Sequence, residues 1–95
     1  MPRLVFSPRA ENDLEEIGDY IAADNPGRAV SFLAELRERC RLILDMPMSF
    51  PVCEDFGPGV RMAVHRRYLI LFRIGPRDIR IERVLHAARR PPRRV

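Results

Sequence analysis

Lysine is absent from these 95 residues; all 17 basic side chains are arginine. Long apolar runs are absent too. The longest is Tyr68 to Phe72, five residues, where a membrane-spanning helix needs about 20. Met1 to Phe6 lacks the apolar core of a signal peptide. The expectation is a cytoplasmic protein with no membrane contact. Cysteine is scarce, with only Cys40 and Cys53, and in a reducing compartment both are expected as free thiols. Cys40 falls on a helical apolar stripe and reads as a small core residue, whereas Cys53 lies in a proline-rich loop. Two cysteines and two histidines (His65, His86) share no zinc-like spacing, so no metal and no cofactor are expected.

What is present is divided unevenly. Residues 1–56 carry six Arg against eleven acids, a net of −5, and residues 57–95 carry eleven Arg against two acids (Asp78 and Glu82), a net of +9; the sum is +4. Base composition of a genome would account for Arg in place of Lys but not for this asymmetry. Arg presents a planar fork of donors that grips phosphates and carboxylates at two points. The basic half must meet an anion: nucleic acid, an acidic protein surface, or the acidic half of its own chain.

The length suits one domain, 1–95, with a thin core. Arg3 to Phe6 reads as a short strand. Ser7-Pro8 then announces a helix, the serine capping free amides and the proline fitting the first turn. Glu11, Asp13, Glu15 and Glu16 complement the helix dipole, and Ala10, Leu14, Ile17 and Ile21 share one face. Asn25-Pro26 repeats the signal, and a second apolar stripe runs through Phe32, Leu36, Cys40 and Ile43 until Pro47. Two helices, about 8–23 and 26–46, joined by so few residues must form an antiparallel hairpin, 8–46. The segment 47–59 has three Pro and two Gly and is a loop at the charge boundary; neither side of it could fold alone. The period then changes to two. Val60, Met62 and Val64 alternate with Arg61, Ala63 and His65, and strands are expected at 68–74 and 79–86, within a strand region 60–86. A basic tail, 87–95, follows. There are no internal repeats.

The strand at 68–74 is apolar on both sides. Tyr68, Ile70 and Phe72 point one way, Leu69 and Leu71 the other. Such a strand should be buried on both faces, yet one helical hairpin covers only one. The expectation is an open apolar patch, flanked by Arg, that a partner covers with an apolar segment, a helix for choice, and it is favoured over the alternative that Phe50, Phe56 and the tail cover the strand.

The ordered set Ser7-Pro8-Arg9-Ala10, Asp13-Leu14, Ile17, Tyr20-Ile21, Asn25-Pro26, Ala29, Phe32-Leu33, Leu36 and Pro47 resembles the ParE toxins of the RelE/ParE superfamily. So do Gly59-Val60-Arg61, Tyr68 to Arg73, and Ile79 to His86. The resemblance runs over about residues 3–90. It implies an α+β fold of order β-α-α-β-β-β, an antiparallel sheet with the hairpin packed on one face. It implies the toxin half of a type II toxin–antitoxin pair, an inhibitor of DNA gyrase and hence of replication, without catalytic residues. It also implies a ParD-like antitoxin whose tail folds onto the toxin. The two usually assemble two-plus-two, a heterotetramer that touches DNA only through the antitoxin.

The superfamily also holds RelE-like ribonucleases that cut messenger RNA on the ribosome. Their chemistry needs a base, an acid and cations on the phosphate. Where their strand tyrosine is followed by a catalytic Arg, Tyr68 here is followed by Leu69. Where they place two basic residues two apart, Arg61 and Ala63 stand here; Ala87 falls where a further Arg is expected. His86 reads as a polar residue at a strand end, and His65 is given no role. The ribonuclease is the alternative function, and a basic nucleic-acid-binding module is a third. Arg61, Arg73 and Arg83 are expected to pair with acids of the helices or the antitoxin, and with Leu69 and Leu71 they make the expected antitoxin-binding set. Arg66, Arg67, Arg89, Arg90, Arg93 and Arg94 are the expected target-binding set.

Overall fold

The computed structural model describes residues 2–88. Its elements are β1 (Arg3–Phe6), α1 (Pro8–Ala22), α2 (Pro26–Ile43), β2 (Arg61–His65), β3 (Tyr68–Ile74) and β4 (Asp78–His86), with short 3₁₀ turns at Pro47–Ser49 and Glu54–Phe56. Both helix starts follow from their caps. The Ser7 hydroxyl accepts the Ala10 amide at 2.9 Å, and Asn25 Oδ1 accepts the Arg28 amide at 3.0 Å. Ser7 also donates to the Glu82 carbonyl at 2.8 Å, so the cap ties α1 to β4. The second helix stops at Ile43, three residues short of expectation. There the Leu44 and Asp45 amides reach back only three residues, to Arg41 and Leu42, which tightens and ends the turn before Pro47.

The sheet has the order β1-β4-β3-β2. β2–β3 and β3–β4 are antiparallel hairpins, but β1 runs parallel to β4, pairing Arg3 with Asp78 and Phe6 with Ile81. The sheet is therefore mixed rather than antiparallel throughout. Alternation of apolar residues fixes the face a side chain takes, not the direction of the neighbouring strand. The β3–β4 ladder shifts between Leu71 and Phe72, which face Arg83 and Ile81, so Glu82 is the extra residue of a bulge.

The core lies between hairpin and sheet. Leu14, Ile17, Phe32, Leu36, Cys40 and Ile43 pack against Ile70, Phe72, Ile79, Ile81 and Val84. Phe50 closes one margin with its ring edge-on to Phe72, centroids 5.7 Å apart. Register decides β2: Ala63 opposes Ile70 and is buried, while Val64 turns outward at 48% exposure.

The second face differs from expectation. Leu71 is fully buried and Leu69 half-buried within this chain alone. Leu71 stands between Met62 and Arg83 in the register, and long flexible or aliphatic stems beside a central strand remove it from water. The expected open apolar patch at Leu69 and Leu71 is thus absent. Exposed apolar side chains gather instead at the margins, among them Met46, Met48, Val52, Val64 and Ile74.

Candidate functional site

The expected antitoxin-binding residues do not share one surface. Arg61 opposes Phe72 on the helix-facing row and donates to the main-chain carbonyls of Phe50 at 2.6 Å and Met48 at 3.4 Å. It fastens the long loop to the sheet. Arg73 lies on the other side and donates to the Pro58 carbonyl (3.0 Å) and to Glu82 (2.8 Å). Arg80 joins Glu82 at 3.2 Å. Glu82, the bulge residue, therefore gathers two guanidinium groups. The signal for it was legible: it is one of two acids in a half with eleven arginines.

Arg83 pairs with an acid from a helix. Its Nε and Nη2 donate to the two oxygens of Asp13 at 2.8 and 3.0 Å, and Asp13 also accepts the Val84 amide at 2.9 Å. β1 ends at Phe6, so the β4 edge beyond Ile81 has no strand partner. The buried Asp13 carboxylate supplies the missing acceptor. Hydrogen bonding to Asp13 raises the Arg83 guanidinium's hold on its proton. By sequence alone Asp13 reads as one of the acids that complement the helix dipole. Its place on the buried stripe with Ala10, Leu14 and Ile17 was the sign of an internal partner.

A second cluster lies at the opposite end of the sheet, around the β2–β3 turn. Glu35 of α2 accepts from Arg28 (2.6 Å), contacts His65 Nε2 (3.1 Å) and accepts from Arg66 Nε (3.4 Å). The hydrogen bond from Arg28, then that from His65, holds the Glu35 carboxyl down at about 2. Arg66 takes a left-handed backbone at φ 55°, a conformation that costs a residue with a Cβ. Arg67 has no side-chain partner among the described residues; its carbonyl accepts the Ala87 amide at 2.7 Å. Arg89, Arg90, Arg93 and Arg94 lie outside the described residues.

Beside this turn the rings of Tyr68 and His86 meet edge to face, 5.0 Å apart, and the Phe32 ring lies 5.4 Å from that of Tyr68. The Ala88 amide donates to His86 Nδ1 at 3.1 Å, which leaves the neutral imidazole's proton on Nε2. A tyrosine thus does stand next to His86 in space, although none is near it in sequence. Chemically, the arrangement is a set of strand arginines satisfied within the fold, with the buried Tyr68 and half-buried His86 paired at the other end of the sheet. Among the described residues no group of three or more His, Cys, Asp or Glu is placed to hold a metal ion, and no helix is long and apolar enough to cross a membrane.

Comparison with known proteins agrees with this architecture. A family model described as ParE toxin of type II toxin–antitoxin system, parDE, matches residues 4–91. Among solved structures, the chromosomal ParDE TA system from P. aeruginosa superposes with a TM-score of 0.80, at 22% identity, over 90% of this chain and 96% of that one. No curated protein sequence matches.

Proposed function

The chain belongs to the ParE toxin family of type II toxin–antitoxin systems, and on that premise we propose that it inhibits DNA gyrase, without catalysing a reaction, until a ParD-like antitoxin neutralises it. The observation that carries the non-enzymatic reading is the employment of the strand arginines. Arg61, Arg73, Arg80 and Arg83 each donate within the chain, to Phe50, Glu82, Glu82 and Asp13. A ribonuclease must hold cations ready for the developing charge on a phosphate. Freeing any of these would cost a carboxylate or carbonyl one of its donors. Leu69 follows Tyr68 where a further cation would be needed.

The test is gyrase supercoiling with purified toxin. Loss of supercoiling as toxin is titrated, reversed by the antitoxin encoded beside it, is the expected result. Unaltered supercoiling at every ratio removes the reading. The ribonuclease alternative has one observation in its favour, the contact of Tyr68 with His86. It requires codon-specific cleavage on ribosomes, seen by primer extension and abolished by His86→Ala.

A further inference from the structure

We propose that the cleft at the β3–β4 turn seats an acidic stretch of the antitoxin that carries an apolar side chain. The inference rests on the reading above that such a partner neutralises this chain. The cleft, about 720 Å³, is bounded by Pro2 and Arg3 at the start of β1, Pro47 after α2, and Ile74, Pro76 and Arg77 at the turn. That volume is in the range of ordinary binding sites.

Its floor is apolar, formed by Ile74, Ile79 and the prolines. Met46 and Met48, on either side of Pro47, are 67% and 69% exposed, and Ile74 is 38% exposed. Of these only Ile74 lines the cleft, and the two methionines flank its Pro47 in sequence.

The charges at the rim choose the occupant. The Arg3 amide donates to the Arg77 carbonyl at 3.1 Å, so the two residues are held side by side. Neither guanidinium has a partner among the described residues, in contrast to Arg61, Arg73, Arg80 and Arg83. No carboxylate is among the described residues that line the cleft; the neighbouring Asp78 carboxylate is turned to Gly75, and the rim keeps a net positive charge. Two unmatched planar forks beside an apolar floor fit a segment with carboxylates around one aliphatic or aromatic side chain. Three prolines in the walls have no N–H, so an added strand would find few donors there. Recognition falls to side chains. Nucleic acid fits poorly, because no aromatic ring lines the cleft for a base to stack on.

Amide hydrogen exchange on the wild-type toxin, free and bound to the antitoxin encoded beside it, reads the cleft directly. Slowed exchange across residues 74–79 on complex formation is expected. In titration, the double variant Arg3→Glu/Arg77→Glu should bind the antitoxin at least about tenfold more weakly and with a shallower salt dependence. Arg3→Lys/Arg77→Lys should stay nearer to wild type. Circular dichroism establishes that both variants fold, and the exchange measurement needs neither. Wild-type affinity in the charge-reversed variant, with residues 74–79 unprotected, overturns the cleft assignment and leaves the function standing. Protection of those residues in the toxin alone as its concentration rises assigns the cleft to a second copy and also overturns it. Failure of the wild-type toxin to bind the antitoxin at all overturns both readings.

Discussion

Single side chains in this molecule carry several duties, and Asp13 carries the most. It satisfies both Arg83 and the Val84 amide from a position that is almost fully buried. Asp13→Ala leaves a partly buried cation and a buried amide without acceptors and should cost about 3 kcal/mol in urea denaturation. The two thiols should behave differently. Burial pushes the Cys40 thiol up to about 12, while Cys53 is partly exposed. A thiol reagent at neutral pH is therefore expected to modify Cys53 and to reach Cys40 only after unfolding. Glu35 sets a pH dependence. Its carboxylate form is favoured on folding, from an ordinary 4.5 down to about 2. Stability from this group is complete above pH 4.5 and disappears as pH falls through about 2. The stability gap between wild type and Glu35→Gln should accordingly narrow over that interval. At this scale the sequence was partly legible. Cys40 was recognisable as core from its stripe. Asp13 and Glu35 were not recognisable as partners of Arg83 and of His65 with Arg66, because each pairing spans 30 residues or more of chain.

Elements were legible where their signals are local. Ser7-Pro8 and Asn25-Pro26 begin helices because a capping oxygen and a donor-free proline solve the first turn within four residues. Ser7 has a further role that no local signal carries, the bond to the Glu82 carbonyl. Ser7→Ala should lose cap and cross-link together, at about 1–2 kcal/mol, with faster exchange of the Ala10 amide as the site-specific readout. The direction of β1 and the inward row of β2 were illegible for the converse reason. Both depend on which strand lies alongside, and the residues Val60 to Val64 fit either face by alternation alone. The loss of the apolar patch at Leu71 belongs here as well, since its neighbours Met62 and Arg83 arrive only with the β2–β3 and β3–β4 registers.

For the whole molecule, the split of charge proves partly an internal matter. Asp13 with Arg83, and Glu35 with His65 and Arg66, join the acidic half to the basic one. The arginines left over, Arg3, Arg67 and Arg77 among them, are those available to other molecules. The core between the halves is thin, so each large side chain counts. Phe72 is fully buried at the centre of the sheet. Phe72→Ala should cost about 3–5 kcal/mol, which for a chain of this size lowers the melting temperature by roughly 12 °C or more; calorimetry measures it directly.

The pairing of Arg3 with Asp78 has a temporal side. During synthesis the first strand must wait for nearly all the rest to emerge before it has a neighbour to join. A chain cut short ahead of residue 78 would lack both the last strand and any place for the first. An interrupted translation product of that length could not complete the four-stranded sheet.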